Sequence, residues 1–269
     1  MINVIVSHDV DHLYGRDHWF RDLIYPKLWV KSAMKCMKKE ISPRECMLRM
    51  SSCFKRNRHN IEALVGFDRK YGVDSTFFFG VKQGLGMSYK PGEAKQIINQ
   101  LAHDGVNVGI HGIGYNSFEE ISAEKKLYAS EYGIEADGIR MHYVRFSPDT
   151  FENENQAGYI YDSTEFDKDK GFLIKNPYKV GNMWEFPLTI MDGYLTQNFE
   201  KAKKETLDIL EKCNKQDTTV ISILFHDYQF CDDFNDMNLW YRWIVEYLHN
   251  DKNYKFVSYK EAIKELEKN

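Results

Sequence analysis

Two carboxylates and two imidazoles fall within five residues, as His8, Asp9, Asp11 and His12. They close a short apolar run, Asn3–Ser7, that reads as a strand. On an extended backbone, residues two apart point to the same side, so Asp9 and Asp11 share a face. Two such carboxylates repel unless a cation or a split in protonation relieves them. The plainer reading is a turn in which an aspartate caps a backbone amide.

Three further segments end in the same way. Val108–Asn116 runs from an apolar stretch into a glycine-rich turn carrying His111. A lone histidine is usually a satisfied structural residue, but a glycine-rich turn at a strand end suits a ligand or an acid/base. The glycines would let the backbone approach a ligand or take positive φ. Gly138–Arg145 puts Arg140 and His142 on one strand face, and an arginine can hold a carboxylate ionised through paired hydrogen bonds. Ile223–Asp227 is an apolar strand ending in His226. Four strand ends offering Asp/Asp, His, Arg/His and His are the ingredients of metal-assisted hydrolysis.

The elements that must bring these ends together alternate. Strands are expected at Asn3–Ser7, Ser75–Gly80, Asn107–Ile110, Gly138–Arg145, Trp184–Met191, Thr218–Phe225 and Lys255–Val257. Helices are expected at His59–Tyr71, Gly92–His103, Ser117–Tyr132, Phe199–Asn214, Asn235–His249 and Ser258–Glu267. Pro91 and Gly105 bracket the second helix, and SFEE opens the third as a capping box. Such alternation implies parallel β/α units, whose C-terminal strand ends form the active face. Leu13–Arg58 breaks the rhythm. It is basic, carries Trp19, Phe20, Tyr25 and Trp29, and reads as a helical insertion over one face. Packing is its plain role; a substrate lid or docking surface is the functional one. No linker or repeat divides residues 1–269, so one domain is expected.

Bulk properties narrow the partners. The 269 residues carry a net charge of −4 and 28% charged residues, an ordinary globular composition. That charge argues against a nucleic-acid partner. Aromatics at 14% fit either a large core or a ring-lined sugar cleft. Cys36, Cys46, Cys53, Cys213 and Cys231 are odd in number and lack CxxC spacing, so reduced thiols in a cytoplasmic protein are expected. No signal peptide, anchor or membrane span is expected from the apolar runs.

In their order these motifs resemble the polysaccharide deacetylase family, whose NodB-type domain is a distorted barrel of about seven β/α units. The resemblance runs from Asn3 to about Asp227. It implies an α/β fold of that type and removal of an acetyl or formyl group from the nitrogen of an amino sugar. It implies Asp9 as general base and Asp11 and His111 as ligands of a divalent metal, most simply Zn²⁺. It gives Arg140 the task of holding the base, the Tyr143 backbone N–H that of facing the oxyanion, and His226 that of general acid. Asp192 is similar to an acidic residue that orients the last histidine. Without a leader, a nucleotide- or lipid-linked sugar in surface-polysaccharide synthesis is the expected substrate, with a glycan terminus as the other form.

One position departs from the pattern. The second histidine of the family's H-x-x-x-H motif is Tyr115 here, and tyrosine is rarely a zinc ligand. Three outcomes are open. His142 or His12 completes the sphere, a water fills the gap, or the site works without metal, as a resemblance to allantoinase-type amidases would imply. An inactive carbohydrate-binding barrel is the non-enzyme alternative; retention of Asp9, Arg140 and His226 argues against it.

Overall fold

A computed structural model describes residues 1–15, 24–55, 57–87 and 89–268. Trp19 and Phe20, two aromatics of the expected insertion, lie outside them. The strands in chain order are β1 (Ile2–Val10), β2 (Thr76–Phe79), β3 (Asn107–Gly112), β4 (Gly138–Met141), β5 (Tyr161–Asp162), β6 (Tyr178–Val180), β7 (Met183–Glu185), β8 (Ile190–Met191), β9 (Val220–Leu224) and β10 (Tyr254–Phe256). They form one sheet in the order β6-β7-β5-β4-β3-β2-β1-β9-β8, with β10 beside the first half of β1. Every pairing is parallel except the β6–β7 hairpin.

Helices connect the strands, as parallel pairing requires. They are α1 (Ile24–Met37), α2 (Pro43–Ser51), α3 (Ile61–Lys70), α4 (Pro91–His103), α5 (Phe118–Tyr132), α6 (Thr150–Gln156), α7 (Phe199–Lys215), α8 (Asn235–Asn250) and α9 (Tyr259–Leu266). Sequence caps start several of them. Ser117 accepts from the Glu120 N–H at 3.2 Å, and Ser258 and Glu261 form a reciprocal capping box on α9.

The sheet curls into a distorted, incompletely closed barrel, the expected fold class. Its edges, β6 and β8, share no strand pairing among the described residues; loop bonds cross there instead, Leu188 N–H to Glu165 O at 2.9 Å and Leu173 N–H to Thr189 O at 3.3 Å. The strand expected over Trp184–Met191 is broken at this seam. Pro187 cannot donate to a ladder, so β7 pairs with β5 and β8 with β9. The expected strand Gly138–Arg145 is also shorter. It stops at Met141, and a 3-10 turn over His142–Val144 follows.

Alternation along β1 sorts its side chains. Val4, Val6 and Val10 join the layer between sheet and outer helices, while Ile5 packs in the barrel interior with Phe78, Phe186 and Tyr259. Continuing that period sends Ser7, Asp9 and Asp11 inward and His8 outward. His8 is accordingly held among the helices, with Nε2 2.9 Å from Asp68 Oδ2 and Nδ1 2.9 Å from Phe225 O. Phe77, Phe78 and Phe79 are fully buried, each burial contributing about 1.5–3 kcal/mol. The central strands therefore give the inward carboxylates a rigid frame.

Candidate active site

The four polar strand ends meet at the C-terminal mouth of the sheet. A cavity of 370 Å³ there is lined by Asp9, Asp11, His111, His142 and His226, with Tyr228 on its wall. Register explains the convergence: Asp9 lies opposite Phe78 of β2, and His111 opposite Arg140 of β4.

Arg140 is fully buried with its guanidinium 4.5 Å from the Phe78 ring centroid. It donates to Asp9 Oδ1 at 3.0 Å, to Ser163 O at 2.8 Å, to Ser163 Oγ at 3.0 Å and to Tyr259 OH at 2.9 Å. One Asp9 oxygen is thus fixed. The other, Oδ2, lies 3.6 Å from His111 Nε2.

Asp11, His111 and His142 form a tight triangle. Asp11 Oδ1 is 3.3 Å from His111 Nε2 and 3.4 Å from His142 Nδ1, and the two nitrogens are 2.9 Å apart. The outer nitrogen of each ring faces a carbonyl, His111 Nδ1 to Arg140 O at 3.0 Å and His142 Nε2 to Leu85 O at 3.0 Å. A carbonyl can only accept, so both outer nitrogens carry the hydrogen. In the neutral rings both inner nitrogens then present lone pairs to each other. Asp11 Oδ1 beside them is buried without a hydrogen-bond partner. Three electron pairs converging on one point require a proton or a cation. Zinc bonds of 2.0–2.1 Å at tetrahedral angles separate ligand atoms by about 3.3 Å, close to the triangle's edges. The residues present therefore fit a divalent metal, and the carbonyls orient the ligands. Burial pushes Asp11 up, but the two imidazoles outweigh it and hold its carboxyl well below the usual range. His111 moves the other way: burial opposes its charge, yet Asp9 and Asp11 raise it.

On the far side of the cavity, His226 Nδ1 lies 2.7 Å from Asp192 Oδ1, and its backbone N–H donates to Asp192 Oδ2 at 2.8 Å. Gln229 donates to the same oxygen at 2.7 Å. Burial alone would push the His226 imidazole down; Asp192 overrides it and raises it to about 10. His226 Nε2 is left facing the cavity, 3.8 Å from Asp11 Oδ2.

The remaining sequence-derived candidates divide. His12 lines the cavity, its ring 5.5 Å from that of Tyr228, but stands outside the Asp11–His111–His142 cluster. Tyr143 is 57% exposed and its ring centroid is 4.0 Å from that of His142. Its φ of 58° and the 43° of Val144 put two non-glycine residues in the left-handed region, strain that collects at functional sites. Tyr115 lies elsewhere. Its ring packs under Arg145 at 4.8 Å and lines a neighbouring 570 Å³ cavity.

The glycines after His111 act differently from the sequence expectation. Neither Gly112 nor Gly114 has positive φ. A Cβ on Gly112 would meet Met141 Sδ at 2.8 Å and Glu124 Oε2 at 3.2 Å. Glu124, on α5, accepts from the Ile113 and Gly114 N–H groups at 2.9 and 3.1 Å. The turn is thus narrow because a buried carboxylate clamps it, and that clamp fixes the strand end bearing His111. Sequence reasoning missed Gln229, Tyr228 and the Leu85 carbonyl. Backbone carbonyls leave no sequence signal; Tyr228 and Gln229 lie within three residues of His226.

No family model and no curated protein matches the chain. Solved structures do match. One assigned as a polysaccharide deacetylase from Mycobacterium smegmatis superposes with a TM-score of 0.65 at 14% identity, over 99% of this chain and 90% of that one. PuuE allantoinase gives 0.61 at 13% identity, over 97% and 88%. A protein from Pseudomonas aeruginosa PAO1, also assigned as a polysaccharide deacetylase, gives 0.57 at 13%, over 97% and 89%. At these identities the likeness is one of fold: the chain has the curled α/β barrel found in polysaccharide deacetylases and in an allantoinase.

Proposed function

We propose that the chain is a metal-dependent hydrolase that removes an acetyl or formyl group from the nitrogen of an amino sugar. The observation that carries the reading is the Asp11–His111–His142 triangle, flanked by an arginine-held carboxylate and an aspartate-held histidine. Zn²⁺ is the assigned ion, since two imidazoles and a carboxylate are its common donors. A bound metal would supply an activated water and an electrophile for the acyl oxygen. Asp9 is assigned the general base: Arg140 holds one oxygen and leaves the other toward the cavity. His226 is assigned the general acid: Asp192 keeps it protonated, and its Nε2 faces the cavity to protonate the departing amine. The Tyr143 N–H is assigned to the oxyanion, a contact worth about 3–4 kcal/mol in comparable enzymes.

The substrate is assigned as a nucleotide- or lipid-linked amino sugar of surface-polysaccharide synthesis, handled in the cytoplasm. The neighbouring cavity leaves room for a larger substituent, and its lining mixes Glu165, Asp167 and Asp169 with Arg145 and Lys168. It meets the first along Val144 and Lys168 and carries Arg145, which donates to the carbonyls of His142 and Ile113. The second imidazole of the cluster, His142, favours this reading over the metal-independent amidase. The test is release of acetate or formate from N-acyl amino-sugar conjugates by the metal-loaded protein. Release that persists at wild-type rate in Asp9→Asn and His226→Ala would falsify the catalytic assignment.

A further inference from the structure

The outer face of α1 and α2 combines two features that the site does not explain. Along α1 the exposed residues Lys27, Val30, Lys31, Met34 and Met37 follow helical spacing, and Lys38 comes directly after them. Arg44, Met47, Met50 and Phe54 continue the pattern on α2 and the turn after it. Val30 is 62% exposed, Met37 77%, Met47 71% and Phe54 81%. Among the described residues, five of the fifteen exposed large hydrophobic side chains lie in this one helix pair and a sixth, Phe54, on the turn after it, so random scatter does not account for them. Charge is segregated in the same place. Ile24–Arg58 carries ten lysines and arginines against two glutamates, in a chain of net charge −4; of these Lys27, Lys31, Lys38, Lys39 and Arg44 are exposed around the apolar residues, with Glu40 as the exposed acid.

We propose that this face docks on an anionic lipid bilayer. Lysines interleaved with aliphatic side chains suit a bilayer interface, where ammonium groups meet phosphates and apolar groups enter the acyl boundary. A nucleic acid would use the cations and leave methionine, valine and phenylalanine wet. A second copy would bring two strongly basic faces together. No helix among the described residues is long and apolar enough to cross a membrane, so the contact is peripheral. The helices are fastened to the barrel. Arg49 donates to Asp233 O at 2.8 Å, Lys55 pairs with Asp233 at 2.6 Å, and the Arg58 N–H reaches Leu13 O at 2.9 Å. The inference stands independently of the hydrolase reading.

The test is co-sedimentation of the full chain with vesicles of phosphatidylcholine plus phosphatidylglycerol, against phosphatidylcholine alone. Binding only to the anionic vesicles, falling steeply with salt, is expected. Val30→Asp with Met34→Asp should weaken it at least about tenfold. Lys27→Gln with Lys31→Gln should cost about fivefold per charge. All four side chains are solvent-facing, and unchanged circular dichroism would separate lost docking from lost fold. Absence of binding to anionic vesicles, or full binding by the aspartate variant, overturns the proposal. A dimer in light scattering that the aspartate variant dissolves would assign the face to a second copy. Duplex DNA bound more tightly than vesicles would assign it to nucleic acid.

Discussion

His111 Nε2 and His142 Nδ1 face each other at 2.9 Å, while the opposite nitrogen of each ring is bonded to a backbone carbonyl. Without metal, a proton in the Asp11–His111–His142 triangle would relieve the converging lone pairs, and Asp9 and Asp11 raise His111 in that direction. Metal uptake must displace it. Zinc titration by calorimetry in buffers of different ionisation enthalpy should report one site and release of about one proton. Affinity should fall as pH falls, because proton and metal compete for one place. His142→Ala and Asp11→Asn should each abolish tight binding. Unchanged affinity in His142→Ala would remove that residue from the ligand set.

Tyr115 stands where a related motif has a second histidine, yet its ring lies under Arg145 outside the triangle. Tyr115→His should therefore leave zinc stoichiometry and affinity unchanged within about threefold, since no ligand is added. A large gain in affinity would mean that the β3–α5 turn can redirect this side chain into the cavity.

Arg140 is the counter-charge of a buried carboxylate. Arg140→Met should destabilise the fold by about 3–5 kcal/mol, the usual cost of leaving one buried ion unpaired. Combining it with Asp9→Asn should recover part of that loss, because a neutral amide needs no cation. Urea denaturation of the two variants gives the comparison. A loss within about 1 kcal/mol for Arg140→Met would show that the Arg140–Asp9 pair does not hold the site together.

Glu154, Asp162 and Glu185 are fully buried together behind β5 and β7. Burial raises all three above their ordinary values, and the charge of Asp162 pushes Glu154 and Glu185 further up, while hydrogen bonds to Asp162 oppose its own rise. The Thr164 N–H bridges Asp162 Oδ2 at 3.0 Å and Glu185 Oε1 at 3.2 Å. The folded protein thus holds protons here that the unfolded chain releases above about pH 4.3. Stability should fall as pH rises from that value through the raised folded pKa values. Glu154→Gln should flatten this dependence, read as thermal midpoints across pH. An equally steep profile in the variant would place the bound protons elsewhere.

The sequence carried most of this site because its chemistry sits at strand ends. Alternation on β1 put Asp9 and Asp11 on one face, and the barrel interior is where they point. His142 was legible as a partner of Arg140 through the same period, although β4 stops before it and a strained turn sets its ring. What stayed hidden depends on distant backbone. The Leu85 carbonyl that fixes the His142 tautomer has no residue type to announce it, and α6, β5 and the β6–β7 hairpin are too short to show a period. The insertion was recognisable as basic and helical, but only the packed structure separates its buried face from the exposed methionines.

Asp192 governs the proton on His226. Its carboxylate takes both the Nδ1 side of the ring and the His226 backbone N–H, at 2.7 and 2.8 Å. Against the downward push of burial, it raises the imidazole to about 10. For a group whose folded pKa is raised, the stabilisation is fully present below the unfolded value of about 6.5 and is lost as pH rises through about 10. A general acid must be protonated when the amine leaves, so hydrolysis should hold across neutral pH and fall on the same alkaline limb. Asp192→Asn keeps the shape and removes the charge. Its alkaline limb should move to lower pH, and its rate at neutral pH should drop. His226→Ala should lose the limb altogether and about 10²–10⁴-fold in rate, while zinc stoichiometry stays at one because His226 is not in the triangle. If the alkaline limb of Asp192→Asn coincides with that of the wild type, His226 is not the acid, and the proton reaches the leaving amine from another group in the cavity.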